Sequence, residues 1–139
     1  MWPFRRRRPE PAGTVSLAEA TSDPTAFTVL TVSEHRFPDA YASLWDTATD
    51  DERRARMVLR TASLVPIRDP QFGVADLEVR IDGRLAAYLR PPHLGMVARA
   101  IDAANAVSAE APALVEWGPV GPTTRLRLEK PDARSPGVA

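Results

Sequence analysis

The chain contains no cysteine. Disulfide staples, thiolate nucleophiles and cysteine-ligated zinc are therefore excluded, and the absence fits a reducing compartment. It has one lysine, Lys130, against seventeen arginines, which with the many alanines and prolines points first to the codon bias of a GC-rich genome. The two histidines, His35 and His93, belong to no set of three or four ligands at the tight spacing zinc needs. No Gly-rich phosphate loop is present. No run approaches the ~18 apolar residues of a membrane span. The start, Met1-Trp2-Pro3-Phe4 and then Arg5 to Arg8, lacks the apolar stretch of about 7–15 residues that a signal peptide carries after its charges. These absences predict a cytoplasmic protein without metal or cofactor, a binding module rather than an enzyme. The acidic run Asp50, Asp51, Glu52 reads as a solvated helix start before it reads as a cation site.

What is present fits one domain of 139 residues. Residues 1–24 hold Pro3, Pro9, Pro11, Gly13 and Pro24 without a lasting hydrophobic period, and are expected to form a disordered basic tail. Residues 131–139 are expected to behave likewise, leaving a folded domain at 26–130. Eighteen basic residues balance eighteen acidic ones, but four of the cations are Arg5 to Arg8. The remainder is mildly acidic, which argues against a broad electrostatic footprint for duplex DNA.

Periodicity predicts the elements. Phe27, Val29 and Thr31 alternate with their neighbours as a first strand. Pro38 and Asp39 open a helix over 38–46, with Tyr41, Leu44 and Trp45 on one face. Thr49 and Glu52 have the spacing of a capping box, so 50–56 forms a short helical turn. A second strand over Met57–Val65 is expected to end at Pro66. Leu77, Val79 and Ile81 define a third strand, Asp82-Gly83 a two-residue hairpin turn, and Leu85 to Leu89 the returning strand. Pro91 and Pro92 start a helix over 92–105. Ala113 to Trp117 and Thr124 to Leu128 give two last strands. The fold class is α+β: a six-stranded, barrel-like antiparallel sheet with two helices, in the order β-α-β-β-β-α-β-β.

Two segments carry more than their composition. Leu64-Val65-Pro66 leads through Asp69 and Phe72 to Val79-Arg80-Ile81-Asp82-Gly83-Arg84 and Ala87-Tyr88-Leu89. Val32-Ser33-Glu34-His35-Arg36-Phe37-Pro38-Asp39-Ala40 precedes it. Together they resemble the HIRAN domain family, above all its small stand-alone members from GC-rich bacteria. The resemblance spans about residues 28 to 89. It departs where the family has an acid and this chain has Gly73, and where family glycines are replaced by Ser33 and Ala87.

The resemblance implies binding of single-stranded nucleic acid or DNA ends. Phe37, Phe72 and Tyr88 would be stacking platforms, and Arg36, Arg68 and Arg90 would meet phosphates. Each residue also has a plainer reading. Phe37 suits a hydrophobic staple, Phe72 a barrel plug, Tyr88 a strand residue with a wet hydroxyl, and the arginines an ordinary surface. Loss of the loop acid favours an alternative, a protein-docking module on the same fold that no longer binds nucleic acid.

Overall fold

A computed structural model describes residues 9–129. The expected tails at 1–8 and 131–139 lie outside the described residues. The chain forms β1 (Thr14–Ser16), β2 (Val29–Val32), α1 (Pro38–Thr47), α2 (Asp50–Ala55), β3 (Met57–Asp69), β4 (Gly73–Ile81), β5 (Arg84–Leu89), α3 (Pro91–Ala103), β6 (Ser108–Gly118) and β7 (Gly121–Leu126). Short 3₁₀ turns lie at Pro24–Ala26 and Glu34–Arg36. Strands run β6-β3-β4-β5-β2-β7, and β7 returns to β6. Every one of these pairings is antiparallel. The result is a closed six-stranded barrel, with β1 added outside it in parallel to β6. Among the described residues no helix is long and apolar enough to cross a membrane.

The α+β barrel follows the periodicity, and the differences have local causes. β3 does not stop at Pro66, which pairs with Leu77 of β4. Pairing with β6 ends at Leu64↔Ala109, so the proline sits where the strand has one neighbour and its missing N–H breaks no second ladder. β6 likewise runs through Pro112. The Arg127 N–H donates to the Pro112 carbonyl at 3.0 Å, but proline cannot return the bond. β7 ends there, and β1 takes over the same edge of β6 at Ser108, Ala109 and Glu110.

That strand overturns the reading of 9–24 as tail. The Leu17 N–H donates to the Glu110 carbonyl, and the Glu129 N–H to that of Leu17. A three-residue strand is too short to show a period, and its partner is remote in sequence, so composition alone dominated the reading. The helix bounds move by one or two residues, and the Thr49–Glu52 capping box forms in both directions.

A six-stranded barrel is narrow, and side chains fill its interior. β6 contributes three buried alanines, Ala109, Ala111 and Ala113, while Leu64, Leu77, Val79 and Ile81 fill the space across from them. Val97 and Ile101 of α3, and Ala40, Tyr41 and Leu44 of α1, complete the buried cluster. Between Val79↔Ala87 and Arg80↔Leu85 the register slips by one, leaving Ala86 as a bulge residue. Both Ala86 and Ala87 are consequently buried, against the simple alternation of a strand.

Asp82 and Gly83 both hold positive φ, at 50° and 80°, as a type I′ turn requires. A Cβ on Gly83 would meet nothing within 4 Å, so a substitution there acts on the backbone alone. Gly83→Val is expected to destabilise the fold by about 1–2 kcal/mol, the left-handed penalty of a side chain with a Cβ. Urea unfolding measures it, and an unchanged midpoint contradicts the turn. Deleting residues 9–20 is expected to lower the melting temperature by several degrees, because it bares the edge of β6 that β1 covers; an unchanged melt would mean β1 adds nothing.

Candidate binding face beside β5

The site begins with the backbone after β2. Ser33 takes a left-handed conformation, φ 70° and ψ 19°, and turns the chain into the 3₁₀ segment Glu34–Arg36. Glu34 points into the structure, where its carboxylate accepts the Thr124 N–H at 3.1 Å. Thr124 is fully buried. Its hydroxyl lies 2.8 Å from the Tyr41 hydroxyl, which donates to the Ala86 carbonyl at 3.0 Å. The Thr31 hydroxyl donates to the Thr124 carbonyl at 3.0 Å. Burial raises the Tyr41 pKa well above the usual phenol range, against the hydrogen bond from Thr124 that lowers it. Tyr41 therefore stays a neutral donor.

With Glu34 anchored, Arg36 turns outward. Its guanidinium carbon lies 5.7 Å from the Phe37 ring centroid and 5.8 Å from that of Tyr88. The rings are 5.8 Å apart and tilted by 59°. Each cation–ring contact at such an exposed place contributes about 0.5–1 kcal/mol. Arg36 also stands between two cavities. One of about 350 Å³ is lined by Tyr88, Asp76, Ile67, Pro91 and Leu94. The other, about 320 Å³, is lined by Phe37, Asp39 and Arg84. Arg90 is the N-cap residue of α3, directly before Pro91 of the first cavity.

The arginines divide into two groups. Arg53, Arg54, Arg60, Arg68, Arg80, Arg125 and Arg127 each pair with a carboxylate. Arg36, Arg56, Arg84, Arg90 and Arg99 have no carboxylate partner among the described residues, and Arg36 shares a cavity lining with Arg84. Residues 9–129 hold twelve arginines against seventeen acids, and three of the five without a carboxylate, Arg36, Arg84 and Arg90, lie on this side of the molecule.

Of the six residues singled out in the sequence, Arg36, Phe37 and Tyr88 come together and Arg90 lies nearby. Arg68 does not join them. It pairs with Asp102 of α3 at 3.4 Å and lines a different cavity, of about 480 Å³, with Pro9, Pro11 and Asn105. Phe72 stands at the tip between β3 and β4, 78% exposed, so it plugs no barrel mouth. Arg84 and Asp76 were missed. Arg84 follows the hairpin turn and meets Arg36 only across a cavity, and Asp76 reads in sequence only as the polar partner in an alternating strand. Neither a family model, nor a curated protein, nor a solved structure matches this chain.

Tyr41→Phe removes a buried hydroxyl that two groups use, with an expected cost of about 1–3 kcal/mol. The pH dependence has a definite sign. The folded pKa of Tyr41 is raised, and an unfolded tyrosine ionises near pH 10. Its contribution is complete below about pH 10 and falls as pH rises beyond it, because only the unfolded chain then releases the proton. Denaturant midpoints above pH 10 should therefore fall more steeply in the parent than in Tyr41→Phe; parallel curves would show that the hydroxyl is not shielded.

Proposed function

We propose that this HIRAN-like barrel is a non-catalytic module that binds single-stranded nucleic acid beside β5. The observation that carries the reading is the grouping of Arg36, Phe37 and Tyr88 with two further unpaired arginines, on a molecule whose other described arginines mostly pair with carboxylates. Phosphates need free cations, and unpaired bases need aromatic faces. Asp76, beside Tyr88 in the 350 Å³ cavity, supplies a carboxylate able to accept from a base edge. It takes the part that the loop lost at Gly73. Ser33 holds the left-handed backbone that a glycine adopts freely, which supports the alignment with a family glycine there.

Three arginines contacting phosphate give a modest salt dependence, about 0.7 in log–log slope for each phosphate on a single strand. Fluorescence anisotropy with a labelled single strand and its duplex tests the reading. The single strand should bind more tightly than the duplex. Tyr88→Ala should cost about 1–3 kcal/mol, as loss of a stacking platform does. Arg36→Ala should weaken binding and reduce the salt slope, and Phe72→Ala should have the smaller effect because its ring lies apart from the cluster. Equal affinity for duplex, or insensitivity to Arg36→Ala and Tyr88→Ala in folded variants, leaves the protein-docking reading. The exposed Ile67 and Phe72 on the β3–β4 hairpin and the acidic surplus favour that second reading.

A further inference from the structure

Another cleft lies on the other side of the Glu34–Arg36 turn, where His35 points instead of Arg36. It measures about 470 Å³. Trp45 of α1 and Trp117 of β6 meet there edge to face, with centroids 5.1 Å apart at 69°, and Pro38 and Pro122 flank them. The two tryptophans are half-buried. Among the described residues neither indole N–H has an acceptor.

Arg56 adds more donors. It holds a left-handed conformation, φ 56°, at the end of α2, a place where glycine costs least. Its carbonyl accepts the Trp117 backbone N–H at 3.0 Å, and its Nε donates to the Trp117 carbonyl at 3.1 Å. Its Nη groups stay unpaired among the described residues. A glycine would close the helix more easily but would present no guanidinium to the cleft. Glu34 and Asp46 also line the cleft. Asp46 has no side-chain partner among the described residues, and the Glu34 bond to Thr124 uses one oxygen only.

The occupant must satisfy all three features at once. The tryptophan corner and flanking prolines want compact apolar rings. The free N–H groups want carbonyl acceptors. The carboxylates repel phosphate and want a cation. A polyproline II segment has this chemistry, because its backbone makes no internal hydrogen bonds and leaves its carbonyls open, and aromatic-lined grooves recognise such segments. We propose that the Trp45–Trp117 cleft docks a proline-rich segment of another protein, carrying an arginine or lysine beside its prolines. This site is separate from the face beside β5 and does not rest on its function.

The test is anisotropy of the full chain with a short labelled polyproline peptide bearing one terminal arginine. Saturable binding is expected, weaker when that arginine is replaced by glutamate. Trp117→Phe keeps an aromatic ring but removes the indole N–H and part of the apolar face, and should weaken binding at least about three- to tenfold, the size of one neutral hydrogen bond. Arg56→Asn keeps a residue at ease in the left-handed region and should weaken it similarly. Arg36→Ala, across the turn, should change nothing. No saturable binding at millimolar peptide, or binding that Trp117→Phe and Arg56→Asn leave unchanged in folded protein, overturns the proposal. A dimer in sedimentation that these two variants dissociate overturns it as well, since the cleft would then hold a second copy of the chain.

Discussion

The barrel closes where β2 and β7 meet, and Thr124 is the residue at which that closure is fastened. Its N–H, hydroxyl and carbonyl all have partners, from Glu34, Tyr41 and Thr31. Four separate stretches of chain thus meet on one buried residue, and the Tyr41 hydroxyl adds a fifth through the Ala86 carbonyl. In a nearly apolar interior a hydroxyl or a carboxylate without partners would cost several kcal/mol. The network is therefore stable only when complete, which couples the position of α1 to the closure of the sheet. It also settles where the outer side chains go. With Glu34 drawn inward, a tight 3₁₀ turn must send His35 and Arg36 to different sides, and the two candidate sites are the two sides of that turn.

The bulge at Ala86 belongs to the same arrangement. A regular β5 would place alternate residues inward, whereas β2 covers its other edge only at Tyr88 and Leu89. The extra residue breaks that register and frees the carbonyl that Tyr41 uses. Bulges of this kind bend and twist a strand, which a narrow barrel needs in order to close. One local irregularity thus serves both curvature and the burial of a tyrosine that would otherwise have an unsatisfied hydroxyl.

The parts legible in the sequence were those governed by local rules. Alternation over Asp76 to Ile81, the Asp82-Gly83 turn and the Thr49–Glu52 box depend on residues a few positions apart, and each is where it was expected. The parts that were not legible depend on remote partners. β1 exists because Pro112 ends the pairing with β7 and leaves an edge of β6 open. Pro66 is tolerated because β6 has already ended beside it. At the candidate site the same division holds. Arg36 and Phe37 are neighbours in sequence, and their link to Tyr88 came from a resemblance, not from any period. Arg68 was grouped with them by loop position, yet α3 supplies Asp102 and draws it elsewhere. The Trp45–Trp117 corner joins residues from two elements read only as apolar faces.

The preference for arginine over lysine throughout the chain has no bearing on which arginines find a carboxylate. In an acidic molecule a randomly placed guanidinium meets an acid more often than not, and most of those described here do so. A free arginine beside a folded carboxylate surface gives up that attraction, modest as an exposed pair is at about 0–1 kcal/mol. Arg36 gives it up while stacked against two rings, and shares a cavity wall with Arg84 and Asp39 without forming an ion pair. Arg56 differs in kind: it is held by two hydrogen bonds to Trp117 and faces carboxylates, so its N–H groups act as fixed donors toward a neutral acceptor. Under the two proposals the same residue type would meet a phosphate on one side of the turn and a backbone carbonyl on the other, and what separates the two roles is the company of Glu34 and Asp46.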